Sequence, residues 1–451
     1  MGLLRPLTAL ACSGLAGGLS VMALSAQTSA PPADLVLKNA TVMTVTHGTL
    51  EHASVWVHNG KIAGVGATVN APAGAMVVDA TGKYVTPGII DPHSHSALGS
   101  DVNEATSPVT PSMMMIDAFT NSDKALYQAL AGGVTTELLL HGSANMIGGQ
   151  AVVIKNKFGL DRDSMLFPNA PRSIKFASGE NPKRVYGSRG IVPSTRMGNF
   201  EVMREAFEDA KHYMAGWDAY NEKVAKGDKT AVAPKVDLKL EALADVLRGK
   251  IYVQIHCYRA DEFLTEEALA KEYGYKIRAF HHALEMYKVG DKIAPTGTGI
   301  ATFADWWGFK DEAWDAIPWN AVMSMREGVR VALKSDSNDY VRRLNQEAGK
   351  MVHYGGATEE EALRMITLNA AWIIGVDDRV GSIDTGKDGD LVIWSTDPLS
   401  TYARAEKVYI DGDLFFDSSI AGFGTPHFHG VMSEAGFSGA DDEIGDGEGA
   451  R

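Results

Sequence analysis

VTPGIIDPHSHSALGS (Val85–Ser100) carries an apolar pair, Ile89 and Ile90, entered through Pro87-Gly88 and left through Asp91-Pro92, then two histidines two residues apart, His93 and His95. The run reads as a short buried strand that ends where the imidazoles begin. Side chains alternate faces along a strand, so both rings point the same way and can chelate one metal ion. The stretch predicts a strand end that faces a cavity.

Outward from it, apolar strand-like runs recur: TTELLLHG (Thr135–Gly142), RSIKFASG (Arg172–Gly179), KIYVQIHCY (Lys250–Tyr258) and VRVALKSDS (Val329–Ser337). Helical stretches alternate with them, among them FEVMREAFEDAKHYMAGWDAYNEKV and ATEEEALRMITLNAAWIIG. In the second, Thr358 and Glu361 match a capping box, and Leu363, Ile366 and Ala370 mark one helix face. Strand and helix units repeated across residues 87–380 predict an α/β fold, a (β/α)8 barrel of the TIM type. Residues 34–86 and 381–417 instead show short alternating runs broken by turn residues such as Asn59-Gly60. These two flanks are predicted to combine into one composite β-sandwich domain, interrupted by the barrel.

Residues 1–26 hold Arg5, an apolar stretch rich in Leu, Ala and Gly, and small residues near Ala26, the pattern of a secretory signal cleaved there. A periplasmic or secreted protein with no stable membrane insertion after cleavage is therefore expected. Cleavage removes Cys12 and leaves Cys257 alone, so no intramolecular disulfide is expected. The formal charge of −14 becomes −15 once Arg5 is lost, and such acidity argues against a nucleic-acid partner. A homo-oligomer is compatible with this composition. Residues 418–451 form an acidic, Gly-rich tail, where His427 and His429 repeat the spacing of the first pair without a strand context and read as surface groups.

In a barrel of this kind, catalytic groups sit at the C-terminal ends of strands. His256 follows IYVQI, His281 and His282 follow IRAF, and Asp336 follows VRVALKS. Alternation lets one of His281 and His282 face the interior and leaves the other a structural role. Each residue alone has an ordinary explanation, a hydrogen-bonded core histidine or a capping aspartate. Together, imidazoles and a carboxylate suit Zn²⁺ or a similar divalent ion with an open position for water, whose pKa falls to about 7. Asp336 is then placed to take a proton from that water and deliver it to a leaving amine.

The segments TPGIIDPHSH, AGGVTTELL, IHCYRADE, ALKSDSND, EEEALRMITLNAAWIIGV and GSIDTGKDGDLVIW carry a further signal. Over Leu35 to Asp417 the chain resembles the amidohydrolase superfamily, in particular exported bacterial enzymes related to imidazolonepropionase and to metal-dependent prolidase-like dipeptidases. The resemblance implies a metal-bearing barrel beside a composite β-sandwich, with ligands His93 and His95 from the first barrel strand, His256 from the fifth and Asp336 from the eighth. From the sixth it implies His282, because HALEMYKVGDKI resembles the family segment in which the ligand precedes Ala-Leu-Glu, with His281 the alternative. Lys175, in SIKFASGEN, resembles the fourth-strand lysine that binuclear members carboxylate to bridge two ions. Two Zn²⁺ ions are therefore expected, and an unmodified Lys175 would leave one. The implied mechanism is attack of a metal-activated hydroxide on an amide carbonyl, with Asp336 as proton shuttle.

Substrate contacts are sought in GENPKRVYGSRGIVPSTRMG (Gly179–Gly198), which carries Lys183, Arg184, Arg189 and Arg196 in an otherwise acidic protein. Arginine forks suit carboxylates, so a small peptide or N-acyl amino acid with a free carboxylate is the expected partner, a solvated face or structural clamp being the alternative. Arg259, three residues beyond His256, and its neighbour Tyr258 are the candidates held nearest the metal. His141 is a candidate oxyanion stabiliser, and Trp306 and Trp307 are candidate pocket walls. The expected function is exported, metal-dependent hydrolysis of a C–N amide bond. Its alternatives are a mononuclear cyclic-amide hydrolase resembling imidazolonepropionase, and a non-catalytic periplasmic solute- or metal-binding protein, which would have no use for a proton shuttle.

Overall fold

The computed structural model describes residues 34–99 and 102–420. The expected signal segment with Cys12, and the tail from residue 421 with His427 and His429, lie outside them. The described chain opens with β1 (Leu35–Met43), β2 (Thr49–His58), β3 (Lys61–Gly66), β4 (Met76–Asp79) and β5 (Tyr84–Pro87). Next come β6 (Ile89–Ser94), β7 (Val134–Leu139), β8 (Ile147–Lys155), β9 (Ser173–Ala177), β10 (Tyr252–Cys257), β11 (Ile277–His282), β12 (Gly299–Thr302) and β13 (Val331–Leu333). It closes with β14 (Leu391–Trp394), β15 (Ala405–Ile410) and β16 (Asp413–Asp417).

Both flanks share one sheet, as expected from their matching patterns. Its hydrogen-bonded order is β16-β15-β14-β5-β1-β2-β3, with β4 on β1. The strands form a single continuous path that folds back on its core, since Lys61 of β3 bridges Asp388 just before β14, and β5 runs one residue past the expected boundary, to Pro87. Alternate residues Leu35 and Leu37, Val55 and Val57, and Leu391 and Ile393 are buried on one core, the two-residue period of a strand, while Val392 and Trp394 of β14 face the barrel core. Between β2 and β3, Asn59 and Gly60 both adopt positive φ, 49° and 76°, as a tight two-residue hairpin requires.

The second sheet runs β6 to β13 in sequence order and nearly closes on itself, where Asp336 N–H donates to the His93 carbonyl at 3.1 Å. Its one departure from the expected parallel barrel is β8, antiparallel to both β7 and β9. The connection from Leu139 to Ile147 explains it: a parallel return needs a crossover of about a dozen residues, and this link is too short to hold a helix. The other neighbours pair in parallel.

Helices cover the barrel. The longest, Arg196–Ala225, is capped by Thr195, whose hydroxyl accepts from Gly198 N–H at 3.1 Å, and buries Phe200, Met203, Phe207 and Ala210 at helical spacing. The capping box at Thr358 and Glu361 forms, at 3.1 and 2.9 Å. The single helix expected after it is two, Glu359–Met365 and Leu368–Ile374. At the break the Ile366 carbonyl accepts from Ile90 N–H of β6 at 2.9 Å, and the Thr367 hydroxyl donates to the Leu363 carbonyl at 2.7 Å. Both bonds replace intrahelical ones, while Leu363, Ile366 and Ala370 still face the core.

Candidate metal centre

β6, β9, β10, β11 and β13 deliver their C-terminal ends to one place. His93 and His95 bring their Nε2 atoms within 3.3 Å of each other, and these lie 3.4 and 3.1 Å from Asp336 Oδ1. His282 Nδ1 stands 3.3 Å from Asp336 Oδ2, and the His256 ring packs edge-on against His282 with centroids 4.2 Å apart. Lys175 enters from β9, its Nζ 3.2 Å from His93 Nε2 and donating to the His141 carbonyl at 2.7 Å. All six expected ligands therefore converge.

Second contacts fix the rings. His95 Nδ1 donates to the Leu140 carbonyl at 2.6 Å; since a carbonyl only accepts, the Nε2 lone pair is left toward the centre. The His93 N–H donates to Asp91, which also accepts from the Ser335 N–H at 3.2 Å and from its hydroxyl. On the opposite face of β6, Ser94 donates to buried Glu137 at 2.7 Å. Burial, then the charges of Lys334 and Lys175, push the His93 pKa well below its ordinary value. Burial, Lys334 and His256 do the same to His282. Neutral imidazoles are the form that binds metal.

The donors fit a divalent cation. His93, His282 and Asp336 place ligand atoms within 4.8 Å of one another, all buried. Neither ring nitrogen of buried His282 makes a hydrogen bond, an arrangement costly for a polar group unless something else satisfies it.

The adjacent pair His281 and His282 does not behave as strict alternation predicts. Both rings pack on His93, with centroids 4.8 and 5.2 Å away. His282 takes φ +70° and Ala283 φ +47°, so the strand bends as it ends and turns the second ring inward as well. Their roles differ by partner: His281 bonds His93 Nδ1 and Gln254 Oε1, each at 2.8 Å, deeper in the barrel, whereas His282 meets Asp336.

Other expected residues are placed less simply. His141 Nδ1 donates to the Gly142 carbonyl at 2.6 Å, and burial together with the Lys175 charge push its pKa down to about 3. Its Nε2 is thus an acceptor in this tautomer. Tyr258 is buried, stacked on His282 at 4.9 Å. Arg259 occupies the N-cap position of the helix Ala260–Tyr273 and its side chain is forked onto Asp261 at 3.0 and 3.3 Å, so its charge is already paired.

The basic loop is also corrected. Residues Glu180–Gly187 are helical, Arg184 is exposed, Lys183 is partly exposed, exposed Arg189 donates to the Ala105 carbonyl, and Arg196 bridges Glu262 and Glu312 at 2.8 Å each. Arg189 and Arg196 act as clamps. Trp306 stacks on Phe303 at 4.3 Å beside His282, a wall position, while Trp307 is mostly exposed.

Sequence reasoning missed Lys334, whose buried ammonium lies 2.7 Å from Asp336 Oδ2. The signal was there: it precedes Asp336 by two residues, just past the end of β13. Burial raises the Asp336 pKa, but the Lys334 ammonium and His95 outweigh it and hold the carboxyl well below the ordinary range.

Comparison with known proteins gives consistent likenesses. The model of the Amidohydrolase family matches residues 320–422. The crystal structure of an amidohydrolase from Thermotoga maritima MSB8 is 37% identical, covers 85% of this chain and 100% of its own, and superposes with a TM-score of 0.77. Amidohydrolase tasK of Hapsidospora irregularis is 35% identical over 381 residues, 79% of this chain, which spans only 38% of that protein's length. Imidazolonepropionase of Geobacillus kaustophilus (strain HTA426) is 28% identical over 389 residues, 77% of this chain and 85% of its own.

Proposed function

This chain belongs to the amidohydrolase family and hydrolyses C–N bonds, and from that premise we propose that its substrate is a dipeptide or N-acyl amino acid whose amide is cut at the mouth of the barrel. The observation that carries the reading is the position of Asp336, whose two carboxylate oxygens face His93, His95 and His282 on one side and Lys334 on the other.

His93, His95, His256, His282 and Asp336 would hold zinc, with Lys175 as the bridge if two ions are bound. A divalent ion there acidifies a water and polarises a carbonyl. Asp336, kept ionised by Lys334, receives the proton of the attacking water and returns it to the departing nitrogen. Lys334 holds that carboxylate in one orientation, and His141 Nε2 accepts a hydrogen bond from water or the substrate N–H. We also place the reaction outside the cytoplasm, on the strength of the signal-like first 26 residues.

In the second reading, a mononuclear cyclic-amide hydrolase like imidazolonepropionase, Lys175 stays an unmodified amine that donates to the His141 carbonyl at 2.7 Å. Metal analysis of the purified protein separates the two, since near two ions per chain supports the bridge and near one supports the plain amine. A hydrolysis screen of the zinc-loaded protein against dipeptides, N-acyl amino acids and small lactams, with a chelator control, tests the substrate. Turnover of lactams alone would overturn the first reading.

A further inference from the structure

The arginines expected to read a substrate carboxylate are engaged elsewhere or exposed, whereas one lysine that the sequence did not single out is poised at the mouth. Lys310 lies on the segment between β12 and β13 and reaches to the residues that follow β9 and β10. Its ammonium donates to Asn181 Oδ1 at 3.2 Å and to the Tyr258 hydroxyl at 3.3 Å, both neutral acceptors. No carboxylate lies within ion-pairing distance of it among the described residues, in contrast to Arg196, Arg259 and Lys334.

Its surroundings connect it directly to the metal centre. Lys310 Nζ stands 5.5 Å from the centre of the Tyr258 ring, towards its hydroxyl end, and that ring stacks on His282 at 4.9 Å. Phe309 packs against Tyr258 and Trp306, and Trp306 against Phe303, so the ammonium sits at the edge of an aromatic wall that limits its hydration. A cation with neutral partners in such a place attracts an anion more strongly than one already paired, because the anion replaces water without displacing a carboxylate.

We propose that Lys310 is the specificity-determining residue of this site, binding the free carboxylate of the substrate one aromatic ring away from the scissile amide. This rests on the amide-hydrolase reading above and sharpens it: substrates ending in a carboxylate are selected over the same molecules ending in a carboxamide. Asn181 and Tyr258 act as positioning residues that hold the ammonium between them.

The test uses zinc-loaded full-length protein and two probes, N-acetyl-L-leucine and its carboxamide, with equilibrium binding measured by calorimetry. The wild type is expected to bind the acid about 30-fold more tightly than the carboxamide, the size of one charge-assisted hydrogen bond. Lys310→Gln should erase that gap while leaving carboxamide binding unchanged, and Lys310→Arg should restore most of it. Equal binding of both probes by the wild type, no binding of either, or a gap that survives in Lys310→Gln overturns the proposal; so does an equal loss for both probes, which marks a structural role. Hydrolysis of N-acetyl-L-leucine and of dipeptides is followed separately. A binding gap without any amide hydrolysis would refute the catalytic reading and leave the carboxylate subsite standing.

Discussion

Asp336 takes φ +52°, a left-handed backbone that a non-glycine residue holds only where its surroundings demand it, and it does so with its N–H on the His93 carbonyl and its carboxylate on Lys334. The side chain is thus fixed before any substrate arrives. Asp336→Asn is expected to lower the hydrolysis rate about 1000-fold, with metal per chain measured on the same sample. Unchanged turnover with metal retained would refute Asp336 as the proton shuttle. Glu266 makes a different point at this scale. It is buried on the helix Ala260–Tyr273, and burial, then the charge of Glu262, lift its pKa from 4.5 to about 8. Between those values the unfolded chain has released the proton while the folded chain keeps it, so this group costs stability as pH rises through that window. Glu266→Gln should therefore melt higher than wild type at about pH 8.5 and lose that advantage towards about pH 5. A difference independent of pH would refute the assignment.

The element that departs from regularity is the β7–β8 hairpin, and the departure sits beside the chemistry. Reversing β8 sends its link across the mouth, which places His141 next to Lys175 and brings Gly148 under the imidazole. A Cβ at Gly148 would lie 2.0 Å from His141 Cε1, so glycine is required there by close approach. Gly148→Ala should push the ring and the carbonyl that holds Lys175 out of place, lowering kcat about 100-fold with a small change in Tm. Full activity in this variant would remove His141 from the site.

At the scale of the whole molecule, the barrel and the composite sheet are tied by Lys155 at the end of β8. Its buried ammonium meets Asp388 at 2.7 Å, Asp390 at 3.1 Å and Asp411, which flank β14 and β15 of the composite sheet, while Lys61 and Arg379 also reach Asp388. Lys155→Met would leave buried Asp390 without its ion pair and weaken the pairing of Asp388 and Asp411, and is expected to cost about 3–5 kcal/mol in urea unfolding. A loss below about 1 kcal/mol would mean that Lys61 and Arg379 suffice.

What was legible in the chain followed local rules. Alternation gave the strand cores and the shared face of His93 and His95, a capping box marked Thr358 and Glu361, and polar residues ending apolar runs marked His256, the pair His281 and His282, and Asp336, because each signal is written within a few residues. Three things were decided only in three dimensions. The reversal of β8 depended on whether a short link could span a sheet; the inward turn of both His281 and His282 depended on a bend imposed by neighbours; and the charges free to meet a ligand depended on which cations had found carboxylates. Arg196, Arg259 and Lys310 are equally cationic as letters. Only the packing that brings Glu262, Glu312 and Asp261 to the first two, and neutral Asn181 and Tyr258 to the third, makes them different, since an ion pair is a property of distance and sequence separation carries no distance.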